Sequence, residues 1–126
     1  MITDWKPYIP EFSHPIGTVT DVDFKYKISD NDCIVWGRWR NGTVHAGLPS
    51  ITLPKDIVPD TNTLNEETLL GCGFRDQSKD VDYYMKLKKN RVYFENDYNI
   101  LANGIFATTE FQSINFILPI KILEAE

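Results

Sequence analysis

The sequence predicts an all-β fold, an antiparallel β-sandwich of jelly-roll-like type with about eight strands. Apolar residues recur with a period of two along most of the chain, and turn residues separate the alternating segments about every 8–12 residues. Aromatic side chains make up 13% of the 126 residues, an enrichment that favours strands or a binding surface. A chain of this length can bury one ordinary core. We therefore expect a single sandwich domain over residues 17–126, preceded by an extended arm over residues 1–16.

The composition excludes several classes of protein. The chain has 13 Lys and Arg against 18 Asp and Glu, a net charge of −5, and no block of consecutive basic residues. A protein that neutralises many phosphates needs the opposite balance, so no nucleic-acid partner is expected. No segment reaches the roughly 18 consecutive apolar residues of a membrane span, and the N-terminus does not resemble a secretory signal. We expect no contact with a membrane and maturation in a reducing cytosol.

The first two predicted strands are separated by a turn. Residues 22–28 alternate, with the apolar side chains at even positions, and the polar cluster at 29–32 supplies a turn. The next strand, over residues 33–40, has one apolar face, whereas its other face carries Ile34, Trp36, Arg38 and Arg40. Asn41-Gly42 then predicts a tight hairpin turn into a return strand over residues 43–47, because both residues tolerate positive φ.

The second half of the chain contains the remaining strands. Prolines predict an edge strand over residues 48–54, and breakers make residues 54–67 a connection in which Thr63 and Glu66 could cap one helical turn. Further strands are predicted over residues 68–75, 81–87, 91–95, 105–108 and 113–123, with a turn at residues 89–90. Cys33 and Cys72 occupy inward positions, which favours two buried free thiols over a disulfide between them.

The sequence offers no motif typical of catalysis. His14 and His45 have no Cys or carboxylate nearby at metal-ligand spacing, so we expect neither a metal nor a cofactor. No nucleophile elbow and no phosphate-binding glycine loop occurs, so no enzyme is predicted. A glycan-cleaving enzyme would require a pocket with paired carboxylates. Two groups of aspartates are interpreted as turn residues because their spacing matches no calcium loop: Asp30 with Asp32, and Asp76 with Asp80 and Asp82.

Trp36 is the most informative single residue. It shares its face with Arg38 and Arg40, and Trp and Arg are the residue types that dominate binding hot spots. Three interpretations remain open for it: a sugar-stacking platform, a protein–protein anchor, or a core residue covered by the second sheet. Tyr93, which alternates with apolar neighbours on its own strand, is a further candidate for stacking on glycans.

The arm is the other unusual segment. Within it, residues 5–16 hold five large apolar side chains and three prolines, and proline lowers the entropy lost when an extended segment docks. One interpretation is that the arm wraps its own sandwich. The other is that it docks on a neighbouring subunit.

Several short motifs carry a resemblance to known proteins. They are Trp5-x-x-Tyr8-x-Pro10-x-Phe12, Gly17-Thr18-Val19-Thr20, Tyr26-Lys27, Val35-x-Gly37-x-Trp39, Asn41-Gly42-Thr43-Val44, Ile51-x-Leu53-Pro54 and Asn115-Phe116-x-Leu118-Pro119-Ile120. The pattern resembles a group of tailed-bacteriophage virion proteins. The resemblance implies a jelly-roll-like sandwich that assembles as a homotrimer. In that group such a domain forms the tip of a tail or head fibre, or stands alone as a capsid decoration (cement) protein.

Of these two roles, the sequence favours the decoration protein. A fibre tip normally follows a shaft or anchoring domain, and we expect none here because the first motif begins four residues after Met1. The acidic charge also suits the exterior of a DNA-filled particle. We expect a virion protein on the outer surface of the capsid, made in the bacterial host cytoplasm, whose partners are its own copies and the major capsid protein or other virion proteins. The alternative is a receptor-binding fibre tip that recognises host glycans. The expected docking residues of the arm are Trp5, Tyr8 and Phe12, and those of the subunit or capsid interface, or of glycan stacking, are Trp36, Arg38, Arg40 and Tyr93.

Overall fold

A computed structural model describes residues 4–60, 68–76, 81–96, 101–105 and 111–121. It confirms the predicted all-β antiparallel sandwich, with two four-stranded sheets and a small two-stranded one. The strands in chain order are β1 (Lys6–Tyr8), β2 (Val19–Ser29), β3 (Asp32–Asn41), β4 (Thr43–Val44), β5 (Ser50–Thr52), β6 (Thr68–Asp76), β7 (Val81–Lys88), β8 (Arg91–Glu95), β9 (Gly104–Ile105) and β10 (Phe111–Pro119).

The first sheet has the order β1-β2-β3-β10. β2 and β3 form a hairpin at the predicted turn, and Asp30 supplies the positive φ (55°) that this two-residue turn requires. β10 returns from the end of the chain and pairs with β3 along its length, with Phe111 opposite Arg40 and Pro119 opposite Asp32. β3 is therefore an interior strand, paired on both sides.

The second sheet has the order β5-β8-β7-β6. β7 and β8 are joined at the predicted turn, where Lys89 has a φ of 57°. β5 lies at the edge, as the flanking prolines predict. One end of the sandwich is covered by the small β4–β9 sheet and by a single turn of 3₁₀ helix over His14–Ile16.

The prediction of a hairpin turn at Asn41-Gly42 is wrong. β4 pairs with β9 and not with β3, and neither Asn41 nor Gly42 has the positive φ of that turn. Asn41 is buried, where it accepts a 2.6 Å hydrogen bond from Trp39 Nε1 and donates one of 2.7 Å to the Ile16 carbonyl. The side chain thus serves the core, and these bonds hold Asn41 in extended backbone.

The core lies between the two four-stranded sheets, with Trp39 at its centre. Its ring centroid lies 5.7 Å from that of Phe24 and 6.3 Å from that of Phe74, at small interplanar angles. Gly37 makes room for this stack, because a Cβ there would lie 2.4 Å from the Phe24 ring. The strongly alternating segments supply the other buried side chains, among them Cys33, Val35, Tyr83, Met85, Leu87, Val92, Phe94, Ile114, Phe116 and Leu118.

The N-terminal arm joins the two sheets along one side of the sandwich. β1 pairs with β2 of the first sheet, and residues 11–13 then run antiparallel to β5 of the second. The Thr52 N–H donates to the Glu11 carbonyl at 3.2 Å, and the Ser13 N–H donates to the Ser50 carbonyl at 2.9 Å. The arm of this chain therefore wraps its own sandwich.

A buried glutamine joins the sheets along the other side. Gln112 on β10 accepts a hydrogen bond from the Arg75 N–H and donates one to the Arg75 carbonyl on β6. Gly73 lets the strands approach, since a Cβ there would lie 2.8 Å from Ile114 Cγ2.

β6 departs from the predicted alternation. Its pairing with β7 shifts register twice, and Gly71 between the shifts has a φ of 140°. As a result Phe74 is buried as expected, but Cys72 is exposed, so its predicted inward position is wrong. Both thiols are free. The predicted helical turn at residues 63–66, the outer part of the strand predicted at 105–108 and the last residues of the final strand lie outside the described residues.

Candidate functional site

The outer side of the first sheet carries a row of alternating basic and aromatic side chains. We call it the cation–aromatic face; its members are Trp5, Lys25, Lys27, Trp36, Arg38, Arg40 and Phe111. The period of two places the members on β2, β3 and β10 on one side, because outward-facing positions alternate with core-facing ones along each strand, and Trp5 immediately precedes β1. The strand register then sets Lys25 opposite Trp36, and Phe111 opposite Arg40.

The half of the row between Trp5 and Trp36 is built around two lysines of β2. The Lys27 ammonium lies 4.8 Å from the ring centroid of Trp5. Lys25 lies between the two tryptophans, 5.0 Å from Trp5 and 4.9 Å from Trp36. Each distance is within the roughly 6 Å at which a cation is attracted to a ring face.

The other half of the row is built around two arginines. The Arg38 guanidinium lies 5.7 Å from the Trp36 ring and 4.7 Å from the Phe111 ring, and Arg40 lies 4.4 Å from Phe111. Four cations and three rings thus form one continuous row across three strands and the residue that precedes β1. Each contact contributes about 0.5–1 kcal/mol at an exposed site, so the row orders its long side chains.

The charges of this face are only partly balanced. Arg38 lies 4.0 Å from Asp23 and Arg40 lies 3.5 Å from Asp21, and all four side chains are more than one-third exposed. Such surface pairs contribute little. No carboxylate among the described residues forms an ion pair with Lys25 or Lys27. The face therefore keeps a net positive charge.

The face also exposes apolar surface. Trp5 is 40% exposed and Phe111 is 36% exposed. Ile117, which is 60% exposed, lies further along β10 on the same side, opposite the half-buried Ile34. Trp36 lies on this outer side as well, so its interpretation as a core residue between the sheets is wrong.

The structure brings four of the predicted site residues together and separates the other three. Trp5, Trp36, Arg38 and Arg40 belong to the cation–aromatic face. The remaining residues lie elsewhere: Tyr8 and Phe12 pack edge-on against Phe24, Phe12 also contacts Trp39, and Tyr93 lies on the outer side of the second sheet beneath Lys88.

The outer side of the second sheet differs in charge from the cation–aromatic face. Glu95 pairs with Lys86 at 3.2 Å and with Lys88 at 2.7 Å. Burial pushes the pKa of Glu95 up, but the hydrogen bonds from Lys88 and Lys86 outweigh it, and the pKa is lowered. The basic side chains here have an internal counter-charge, which Lys25 and Lys27 lack among the described residues.

The other candidate chemical groups do not converge. His14 and His45 stack in parallel with ring centroids 4.4 Å apart. In the described part of the chain no three His, Cys, Asp or Glu side chains are placed to hold a metal ion. A groove of about 550 Å³ between the arm and β5 has Glu11 as its one acidic lining residue. A paired-carboxylate site is not assembled there.

Sequence reasoning missed three members of the face: Lys25, Lys27 and Phe111. The lysines alternate visibly with apolar residues, but a polar position on a strand predicts only solvent contact. The alternation of the last strand extends back to Phe111, and following it two residues further would have placed this ring on the outer side. Which residues of β2 and β10 flank Trp36 depends on strand register between distant segments, which local patterns do not encode.

No helix in the described ranges is long and apolar enough to cross a bilayer. Comparison of the chain with protein-family models, curated proteins and solved structures found no match.

Proposed function

We propose that the protein is a bacteriophage virion structural protein, a trimeric capsid decoration protein that binds and stabilises the assembled shell. The observation that supports this most is the cation–aromatic face, an ordered row of solvent-accessible Trp, Arg and Lys side chains on the outer side of a sheet. Trp and Arg are the residue types that dominate protein interfaces. Small molecules are usually captured in concave pockets, and the outer side of a sheet suits contact with another large surface better.

The way the sandwich is closed supports a structural role. The arm joins the sheets on one side and Gln112 joins them on the other, so the face lies on a cross-linked support. A rigid support keeps the entropy cost of binding low, because few groups have to be ordered on contact. Binding only the assembled shell then stabilises the shell by mass action.

Location on the virion and shell stability test this function. Capsids of the phage that encodes the protein would be imaged by cryo-electron microscopy with and without added protein, and their melting would be compared. Density on the capsid surface and a raised melting temperature are expected. Density confined to the tail tip, or no capsid binding, would reject the proposal.

Point variants are the right probe of the docking residues. Deleting residues 1–12 would remove β1 and two side chains that pack on the core, so loss of binding could reflect loss of folding. Trp5→Ala and Trp36→Ala leave the core intact and are expected to weaken capsid retention. Tyr84→Ala, which removes a 39% exposed ring from the other sheet, is the matched control.

A receptor-binding fibre tip is the second candidate. The exposed rings of Trp5 and Phe111 favour it, since flat aromatic surfaces stack on sugars. Fluorescently labelled protein that stains host cells and competes with phage adsorption would support this function over capsid decoration.

A further inference from the structure

We propose that the cation–aromatic face binds a second copy of this chain in a head-to-tail arrangement. This inference rests on the proposed function and deepens it, because a trimeric decoration protein could use the face either between subunits or on the shell. Three features of the molecule assign it to the subunit contact: its charge distribution, the way its cations are held, and the apolar residues beside them.

The first feature is the charge complementarity of the chain with itself. The face carries four basic side chains and, in Asp21 and Asp23, two acidic ones. The whole sequence has 13 basic and 18 acidic residues, so 9 basic and 16 acidic residues remain outside the face. The rest of the sequence thus has a net charge of −7, so another copy of the chain carries the charge opposite to that of the face.

The second feature is that the two lysines of the face are ordered without being neutralised. An aromatic ring attracts Lys25 or Lys27 through its quadrupole and leaves the formal charge in place. Carboxylates of a partner therefore meet side chains that have already lost much of their rotamer freedom. That lowers the entropy cost of forming the contact.

The third feature is the apolar surface at the same side of the sheet. Phe111 is exposed opposite Arg40. Ile117 is exposed further along β10, next to Asn115 on the same side and opposite Ile34 of β3. A mixture of aromatic, Arg and aliphatic side chains is typical of the centre of a protein–protein interface. Exposed isoleucine has no equivalent role in binding a polysaccharide or a nucleic acid.

The same charges determine the symmetry of the contact. In a two-fold dimer whose axis passes through this face, the face would meet its own copy, and four cations would approach four cations. A head-to-tail contact instead sets the face against a different, acidic part of the neighbour. Head-to-tail contacts close into rings or propagate as filaments, so a closed ring of three is compatible with this face and a two-fold dimer centred on it is not.

Sedimentation of the purified full-length chain, without capsids, tests the inference. A trimer is expected at about 50 mM salt, with an association constant that falls at least about tenfold at about 500 mM. Arg38→Gln/Arg40→Gln and the charge reversal Arg38→Glu/Arg40→Glu should give monomers at concentrations where the parent is trimeric. Lys55→Glu, a charge reversal at an exposed turn away from the face, should remain trimeric.

Circular dichroism and thermal melting establish that each variant is folded. A monomeric parent, a two-fold dimer, or self-association that the Arg38/Arg40 variants retain would overturn the inference. A monomer that still decorates capsids would reject the inference and the trimer, but it would leave capsid decoration as the function. A salt-sensitive trimer that binds no capsid would do the reverse.

Discussion

The side chain of Gln112 makes the two hydrogen bonds to the Arg75 backbone that a neighbouring strand would make. Its Oε1 accepts the Arg75 N–H at 3.0 Å and its Nε2 donates to the Arg75 carbonyl at 2.8 Å, so one side chain satisfies both backbone groups. Gln112 lies on the first sheet and Arg75 at the edge of the second. This pair of bonds connects the sheets on the side opposite the arm.

Replacing Gln112 with Leu should therefore destabilise the fold. The side chain is only 3% exposed, and its loss leaves a backbone donor and acceptor without their partner, at a cost of about 2–4 kcal/mol. Urea denaturation measures the change. Ser113→Ala, at the adjacent exposed position, should alter the free energy of unfolding by less than about 0.5 kcal/mol. Equal effects of the two substitutions would argue against the bridging role.

Asn41 should be as sensitive as a core residue. Asn41→Ala removes the acceptor of the Trp39 indole N–H and the donor to Ile16, which predicts a loss of about 2–3 kcal/mol. A shift in tryptophan fluorescence should accompany it, since Trp39 loses its polar partner. Asn103→Ala, which loses one exposed bond to the Ala46 N–H, serves as the comparison. If Asn41 acted only as a turn residue, Asn41→Gly would be neutral.

Gly17 and Gly104 form a matched pair for testing backbone packing. Gly17 has a φ of +74°, and an added Cβ would lie 1.8 Å from the Thr43 carbonyl oxygen. Nothing lies within 4 Å of a Cβ at Gly104. Gly17→Ala should cost about 2–4 kcal/mol, and Gly104→Ala should be close to neutral, when both are compared by thermal melting.

The two cysteines should differ in reactivity. Cys72 is exposed and Cys33 is fully buried, with burial raising the pKa of the Cys33 thiol to about 12. Because the thiolate is the reacting form, Ellman's reagent at pH 8 should modify Cys72 quickly and Cys33 only as the protein unfolds. Cys72→Ser should abolish the fast phase. Two fast thiols would contradict the burial of Cys33.

The same thiol predicts a loss of stability at alkaline pH. The folded pKa of Cys33 lies above its ordinary value of 9.0, so the folded state holds the proton more tightly than the unfolded chain. Its contribution is complete below pH 9 and declines as the pH rises towards 12, by at most about 1.4 kcal/mol per pH unit. Urea denaturation from pH 7 to 10.5 measures this decline, and Cys33→Ala should flatten it between pH 9 and 10.

Most of the fold could be predicted from local patterns. The period of two identifies the strands, and the turns at Asp30 and Lys89 follow from short polar sequences that tolerate positive φ. The candidate site could be predicted in part, because alternation places Trp36, Arg38 and Arg40 together on the side of their strand opposite Trp39. Alternation does not say which side the second sheet covers, so a core position for Trp36 stayed open.

What local patterns do not contain is the pairing of distant segments. Asn41-Gly42 has the sequence of a hairpin turn, yet bonds to Trp39 and Ile16 determine its conformation. The bulges of β6 moved Cys72 outward for a similar reason, since they depend on how β6 fits against β7. The rings that flank Lys25 belong to Trp5 and Trp36, which lie far apart in the sequence. Only the register of β1 and β3 against β2 brings these rings together.

The short strands at the arm side have a consequence for colloidal behaviour. β1 has three residues, and the outward amide and carbonyl of β5 are occupied by residues 11–13. Exposed ladder groups are what a foreign chain needs in order to template fibril growth. This margin of the folded molecule offers few of them, so a foreign strand should not add at this margin until the chain melts.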